Sequence, residues 1–190
     1  MTKWLSHRMV ERGIIKEEEQ ELYQFGIRNC MILLLNVVTA LVIGLLTEQL
    51  AVVAEFTLSF MVLRSYTGGY HSDSRIFCYL GSNLVLLVPV YTQAVFYKTS
   101  LAWLLAVLLV SAGIIFLLSP MHSKNRKLDK EEQKHFGRKA RLIAALELAV
   151  LGILWHAGQI PYAYAVYTGI CITALFMIVG KAQLWIQSHT

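Results

Sequence analysis

Charged residues are scarce in this chain. Asp, Glu, Lys and Arg make up 15% of the 190 residues, against about 25% in ordinary soluble domains. Hydrophobic residues make up 56%, and the mean hydropathy is +0.55. A soluble fold of this size cannot bury so much apolar surface, so the composition predicts a membrane protein with several spans. The net charge of +5 does not indicate nucleic-acid binding, because membrane proteins collect Lys and Arg in their cytoplasmic loops.

Several recognisable motifs are also missing. The sequence contains no Walker A loop, dinucleotide fingerprint or zinc-finger spacing, and its first 28 residues lack the continuous apolar core of a secretory signal. There are three cysteines, Cys30, Cys78 and Cys171, and an odd number excludes complete pairing within one chain. Cys30 and Cys171 lie in apolar runs and are interpreted as small core residues. Cys78 has different neighbours.

Apolar segments predict six transmembrane helices. A span needs about 20 apolar residues. Four segments meet this requirement well, and two weaker ones contain Glu55 and Glu147. The predicted spans are 29–47, 49–63, 78–97, 101–118, 142–157 and 162–180. We therefore predict an all-α, polytopic membrane protein that forms a single membrane domain over residues 1–190.

Lysine and arginine are unevenly distributed between these spans. With the N-terminus inside, the inner segments 1–28, 64–77, 119–141 and 181–190 carry five, two, eight and one of them, which is 16 of the 17. Only Lys98 falls outside. Removing the weak span 49–63 would put the most basic loop on the outer side. The positive-inside rule therefore supports both weak spans and predicts that both termini are cytoplasmic.

Two of the four inner segments, 1–28 and 119–141, each allow two interpretations. Residues 1–28 alternate apolar and charged side chains, which predicts one or two amphipathic helices on the inner membrane surface. A solvated arm with some apolar contacts is the alternative. The basic loop 119–141 is interpreted either as a solvated loop that sets topology or as a docking patch for an acidic partner.

Residues 64–78, RSYTGGYHSDSRIFC, concentrate reactive and flexible residues between two apolar segments. In the predicted topology this stretch is a cytoplasmic loop, where a thiol stays reduced. A thiol reacts as a thiolate, which a nearby histidine or a helix N-terminus favours. Asp73 and Ser74 are good N-cap residues. Cys78 would then lie in the first turns of the third span, where the helix dipole favours negative charge.

His71 lies seven residues before Cys78. On one continuous helix that separation is about 10 Å of rise, too far for a hydrogen bond, but a turn at Gly68 and Gly69 would let the imidazole fold back. Cysteine and histidine are the minimal pair for acyl transfer. The residues alone leave three interpretations open: nucleophilic catalysis, a metal site that adds Asp73, or a structural loop. Zinc sites usually need three or four ligands, so we expect no metal and no cofactor.

The combination of Arg64, Gly68-Gly69, His71 and Cys78 with the length and the six predicted spans resembles the accessory gene regulator B family of Gram-positive bacteria. The resemblance covers essentially the whole chain. It implies a cysteine endopeptidase of the bacterial cell membrane that acts in quorum sensing. Such an enzyme removes the C-terminal tail of a small AgrD-like propeptide and cyclises the remainder. By resemblance, Cys78 is the nucleophile, His71 is the base, and Arg64 and Gly69 are motif positions needed for activity.

The resemblance also implies a propeptide with an acidic C-terminal tail. The excess positive charge predicts that loop cations complement this tail, and two adjacent glycines would let a substrate backbone approach closely. Glu55 is a candidate third catalytic residue or a partner for Arg64. The residues expected to bind or support the substrate are Arg64, Gly68, Gly69, Glu55, Arg75, Lys124, Arg126 and Lys127.

A small membrane transporter or peptide exporter without covalent catalysis is the alternative function. Its motivation is Glu55 and Glu147, because ionisable residues inside spans often mark substrate pathways. Small residues in the spans, such as Gly44 and Gly169, permit close helix contacts, and the resemblance is compatible with a homodimer. Membrane lipid is an expected partner, and nucleic acid is not.

Overall fold

The computed structural model describes residues 2–68, 75–121 and 129–189, with the backbone alone described at 2, 75–78, 130 and 187–189. These residues form seven α-helices and one short 3-10 turn, Glu17–Glu19, and no strand occurs among them. The prediction of an all-α protein is therefore confirmed. The helices are α1 (Thr2–Glu11), α2 (Gln20–Leu46), α3 (Leu50–Thr67), α4 (Arg75–Lys98), α5 (Leu101–Leu118), α6 (Lys130–His156) and α7 (Ile160–His189).

Five helical segments within the described ranges are long and apolar enough to cross a membrane. They are Glu17–Leu46, Leu50–Thr67, Tyr79–Lys98, Leu101–Leu118 and Ile160–Ile186. Large apolar side chains on these helices are exposed, among them Leu46, Leu109 and Leu117, which suits a surface that faces lipid. The helix α6 is not among the five, since its apolar half follows directly on charged residues and itself contains Glu147. The sixth span and the orientation stay predictions.

The first compact unit covers residues 1–39 and contains α1 and most of α2. In α1 the guanidinium of Arg8 lies 5.1 Å from the centre of the Trp4 ring, and Trp4 is exposed. The predicted boundary at residue 28 does not coincide with a helix end, because α2 runs without a break from Gln20 through Arg28. Cys30 is exposed on α2, so its interpretation as a core residue was wrong. The apolar stretch around it lies on a helix whose residues are mostly not buried.

The second compact unit covers residues 40–190, and α3 and α7 lie at its centre. The helix α7 packs against α3, α4, α5 and α6, while α3 also packs against α4 and α6. One core cluster gathers Phe56 of α3, Phe96 of α4 and Tyr164 of α7. The other gathers Leu63, Ile115, Ala144, Ile170 and Met177 from α3, α5, α6 and α7. The apolar half of α6 is therefore part of the helical bundle.

Candidate active site

The helix α3 ends where the predicted catalytic loop begins. Thr67 is its last residue, and Gly68 is the C-cap with φ 72° and ψ −153°. The next helix, α4, begins at Arg75, so residues 68–74 connect the two. Cys78 is the fourth residue of α4, which places it in the first helical turn, as predicted from the N-cap residues. The helix starts three residues before the predicted start of the span.

The predicted site residues fall into three groups. Gly69, His71, Lys124, Arg126 and Lys127 lie outside the described residues, as does Asp73. Arg75 and Cys78 are described only by their backbone in α4. The pairing of the His71 imidazole with the Cys78 thiol therefore stays a prediction. The positions of Glu55, Arg64 and Gly68 are described with their contacts.

Arg64 holds the C-terminal end of α3. Its Nη1 donates a hydrogen bond to the carbonyl oxygen of Gly68 at 2.6 Å, and the Thr67 hydroxyl donates to the same oxygen at 3.3 Å. The Cζ atom of Arg64 also lies 5.1 Å from the centre of the Phe176 ring in α7. A planar guanidinium can make both contacts at once. One side chain thus joins the start of the loop to the central helix.

Gly68 occupies a position that other residues would strain. Its positive φ is a conformation that L side chains rarely adopt. A Cβ at this position would also meet the Met121 carbonyl oxygen at 2.7 Å. The Met121 N–H donates a hydrogen bond to the Thr67 carbonyl at 2.9 Å. The segment after α5 is therefore fastened to the first residues of the predicted catalytic loop by backbone contacts.

The beginning of α6 lies against the same end of α3. The rings of Tyr66 and Phe136 are 6.3 Å apart, and the Lys139 ammonium lies 5.9 Å from the centre of the Tyr66 ring. A Cβ on Gly137 would meet the Pro120 ring at 3.0 Å. Residues 120–121 and 136–139 belong to the two flanks of the basic loop 119–141, on either side of residues 122–128. Both flanks therefore lie beside the start of the loop that carries the sequence motif.

Comparison with known proteins decides the family. A family model described as AgrB, accessory gene regulator B, matches residues 1–179. The chain belongs to this family. Two similar proteins from Clostridium perfringens strains SM101 and 13, both named AgrB-like, are 23% and 24% identical over 75% of this chain and 69% of their own length. An AgrB-like protein from Halalkalibacterium halodurans is 27% identical over 79% of this chain and 73% of its own length. No solved structure matches.

Membership of the AgrB family supports a membrane protein with a role in processing the agr autoinducing peptide, and it implies that an AgrD-like propeptide is involved. Quorum sensing is thus the biological setting. In this setting the motif position Arg64 has a visible structural task, since it fixes the carbonyl group of Gly68.

The two acidic residues noted in the predicted spans lie near each other. The Ser59 hydroxyl of α3 donates a hydrogen bond to the Glu147 carboxylate of α6 at 2.7 Å. Glu55 lies one turn before Ser59 and is close enough to Glu147 for their charges to interact. The sequence identified both acids but not the contact that brings α3 and α6 together, because 88 residues separate Ser59 from Glu147. Across the described residues, no three His, Cys, Asp or Glu side chains gather as a metal site would require.

Proposed function

We propose that this AgrB family member is a membrane cysteine endopeptidase that cleaves an AgrD-like propeptide and cyclises the product. The observation that carries this proposal is the motif Arg64, Gly68-Gly69, His71 and Cys78, set between the fixed end of α3 and the first turn of α4. A nucleophile in the first turn of a helix experiences the positive end of the helix dipole. That environment favours a thiolate at Cys78.

The proposed chemistry has two acyl transfers. The Cys78 thiolate attacks the scissile carbonyl, the C–N bond breaks, and the tail leaves as an amine that takes its proton from His71. The retained peptide is then a thioester on Cys78. A thiol or hydroxyl within that peptide attacks the thioester, the ring closes as a thiolactone or lactone, and the Cys78 thiol is released with the proton of the attacking group.

Backbone groups at the start of α4 suit the charge that develops in these steps. The first N–H groups of an α-helix have no acceptor within the helix, so they can donate to an oxyanion on the attacked carbonyl. Arg64 fixes the other end of the loop through Gly68. Such fixed ends reduce the conformations that the loop must lose when substrate binds.

The proposed topology has six spans, with both termini and the catalytic loop in the cytoplasm. Its support is the inward bias of Lys and Arg together with the packing of α6 against α3, α5 and α7. In this topology the flanks of the basic loop and the motif loop share one membrane face. Loop cations, including Arg75, Lys124, Arg126 and Lys127, are proposed to attract the acidic tail of the propeptide. We also propose that the protein forms a homodimer.

The decisive experiment measures propeptide cleavage by the full-length protein in liposomes. We expect Cys78→Ala and His71→Ala to abolish cleavage while the protein still inserts. The matched control is Cys30→Ser, because Cys30 is an exposed cysteine on α2 and its loss should leave cleavage unchanged. Full cleavage by Cys78→Ala would refute the proposal. Transport of intact peptide by that variant would favour the alternative transporter function instead.

A further inference from the structure

Three helices, α3, α6 and α7, meet at Ser59, which lies five residues before Arg64 on α3. We call this meeting point the junction. Ser59 is buried in α3, and its hydroxyl donates to the Glu147 carboxylate of α6 at 2.7 Å. Ser59 is buried and Glu147 is half-buried, and a hydrogen bond to a carboxylate in such surroundings is costly to break, because each partner has given up contact with water to make it. The contact therefore fixes the rotation of α3 relative to α6.

The third helix of the junction is α7, which approaches Ser59 through a glycine. A Cβ built on Gly169 would overlap the Ser59 hydroxyl oxygen, and it would lie 3.1 Å from the Ser59 Cβ and 3.4 Å from the Phe60 backbone nitrogen. Gly169 therefore leaves room for the Ser59 hydroxyl, which a Cβ at this position would force to move. The Ser59 oxygen lies closer to this position than the Ser59 Cβ does, so the hydroxyl is held between Gly169 of α7 and Glu147 of α6.

Contacts continue from this junction toward the motif. Phe60 packs edge to face on Phe176 with ring centres 5.8 Å apart, and Phe176 also lies under the guanidinium of Arg64. Ser59 and Arg64 are five residues apart on one helix, about 7.5 Å of rise. A rotation or slide of α3 at Ser59 would therefore move Arg64 and the Gly68 carbonyl that it holds.

We propose that Ser59, Glu147 and Gly169 position the end of α3, and through it the loop that carries His71. Glu147 is thus a positioning residue that acts as a hydrogen-bond acceptor, not a group that touches substrate. This inference rests on the proposed function, because it assumes that the Cys78 thiol reacts with help from His71. The experiment below gives different results when the positioning role fails and when the proposed Cys78–His71 chemistry fails.

The test measures how fast iodoacetamide alkylates Cys78 in the full-length protein in liposomes at neutral pH. The parent carries Cys30→Ser and Cys171→Ala, so that Cys78 is its only thiol. The parent should react faster than its His71→Ala variant, because the imidazole favours the thiolate. Ser59→Ala, Glu147→Leu and Gly169→Ala should each lower the rate by about tenfold, toward the value of His71→Ala, since small displacements at a site have large effects.

Two matched variants distinguish positioning from a general loss of structure. Glu147→Gln keeps an acceptor for the Ser59 hydroxyl, so its rate should stay within about twofold of the parent. Gly152→Ala adds a Cβ on α6 that meets nothing within 4 Å, and it should behave like the parent. Ser59→Ala removes a single oxygen and is the variant that best preserves insertion, which gel filtration of the extracted protein checks.

The outcomes separate the two proposals. If the parent reacts no faster than its His71→Ala variant, the proposed Cys–His pair is wrong. If the parent depends on His71 but Ser59→Ala and Gly169→Ala react at the parent rate, the pair stands and the positioning junction is refuted. A Glu147→Gln rate as low as that of Glu147→Leu would also contradict it, because the role assigned to Glu147 needs only an acceptor.

Discussion

The guanidinium of Arg64 donates to the Gly68 carbonyl oxygen at 2.6 Å and lies 5.1 Å from the centre of the Phe176 ring. Arg64 is seven residues before His71 and fourteen before Cys78, so it need not reach the reacting atoms to matter. Its contacts instead determine the direction in which the chain leaves α3. This explains in structural terms why a motif position can lie on a helix and not in the loop.

Replacing Arg64 by lysine should impair cleavage although the charge is kept. A lysine ammonium cannot lie flat on Phe176 and donate to Gly68 with the same geometry. We expect a loss of about tenfold in kcat with a smaller change in KM, since the change disturbs alignment more than binding. Steady-state cleavage in liposomes measures this. An Arg64→Lys variant as active as the parent would contradict the role assigned to the guanidinium.

Gly68→Ala should destabilise the protein. The positive φ strains an L-residue, and the new Cβ would meet the Met121 carbonyl oxygen at 2.7 Å. The expected cost is about 1–3 kcal/mol in the free energy of unfolding, seen as a lower Tm in detergent. Gly113→Ala is the control, because its Cβ meets nothing within 4 Å. Equal Tm values for the two variants would show that the turn at Gly68 is not strained.

Neutralising Lys124, Arg126 and Lys127 to glutamine should weaken propeptide processing, mainly through a higher KM. The reason is the loss of attraction between these cations and an acidic tail, which salt should also weaken in the parent protein. The control replaces Lys3, Arg12 and Lys16, three cations of the first 28 residues. Unchanged kinetics after the first replacement, or equal losses after both, would count against a docking role.

The six-span topology predicts which sites an impermeant maleimide can label in intact cells. In a protein without its three cysteines, a new cysteine at Ser100 or Ala157 should react from outside. A cysteine at Glu131 should react only after permeabilisation. Ser100 lies between α4 and α5, while Ala157 lies between α6 and α7. If Ala157 behaves like Glu131, α6 does not cross the membrane.

Much of the fold could be predicted from hydropathy alone. The predicted span 101–118 coincides with α5, because both of its flanks, Ser100 and Ser119-Pro120, stop an apolar run abruptly. The other helices extend beyond the predicted spans. Apolar runs mark the part of a helix that suits lipid, whereas polar turns such as Gln20–Arg28 and Lys130–Arg141 continue the same backbone hydrogen bonding in water.

Only those features of the candidate site that depend on neighbouring residues could be predicted from the sequence. Gly68 and the N-cap residues before Cys78 predict a loop between two helices. In the structure α3 ends at Thr67 and α4 begins at Arg75. The contacts that hold this loop join distant parts of the chain. Met121 bonds to Thr67, and Gly169 faces Ser59. The small side chain of Gly169 predicted a close helix contact, which is confirmed. No pattern in the sequence could have paired Gly169 with Ser59 or Met121 with Thr67.

The backbone angles of Gly68, φ 72° and ψ −153°, are close to the mirror image of the polyproline II conformation, about −75° and +145°. A D-amino acid adopts that mirror image as readily as an L-residue adopts the original. Its Cβ would replace the other α-hydrogen of Gly68, and so would not occupy the position that meets the Met121 carbonyl oxygen. The backbone at Gly68 therefore accepts a D-residue more readily than an L-residue. A semisynthetic protein with D-alanine at position 68 should fold without the strain that L-alanine would cause there.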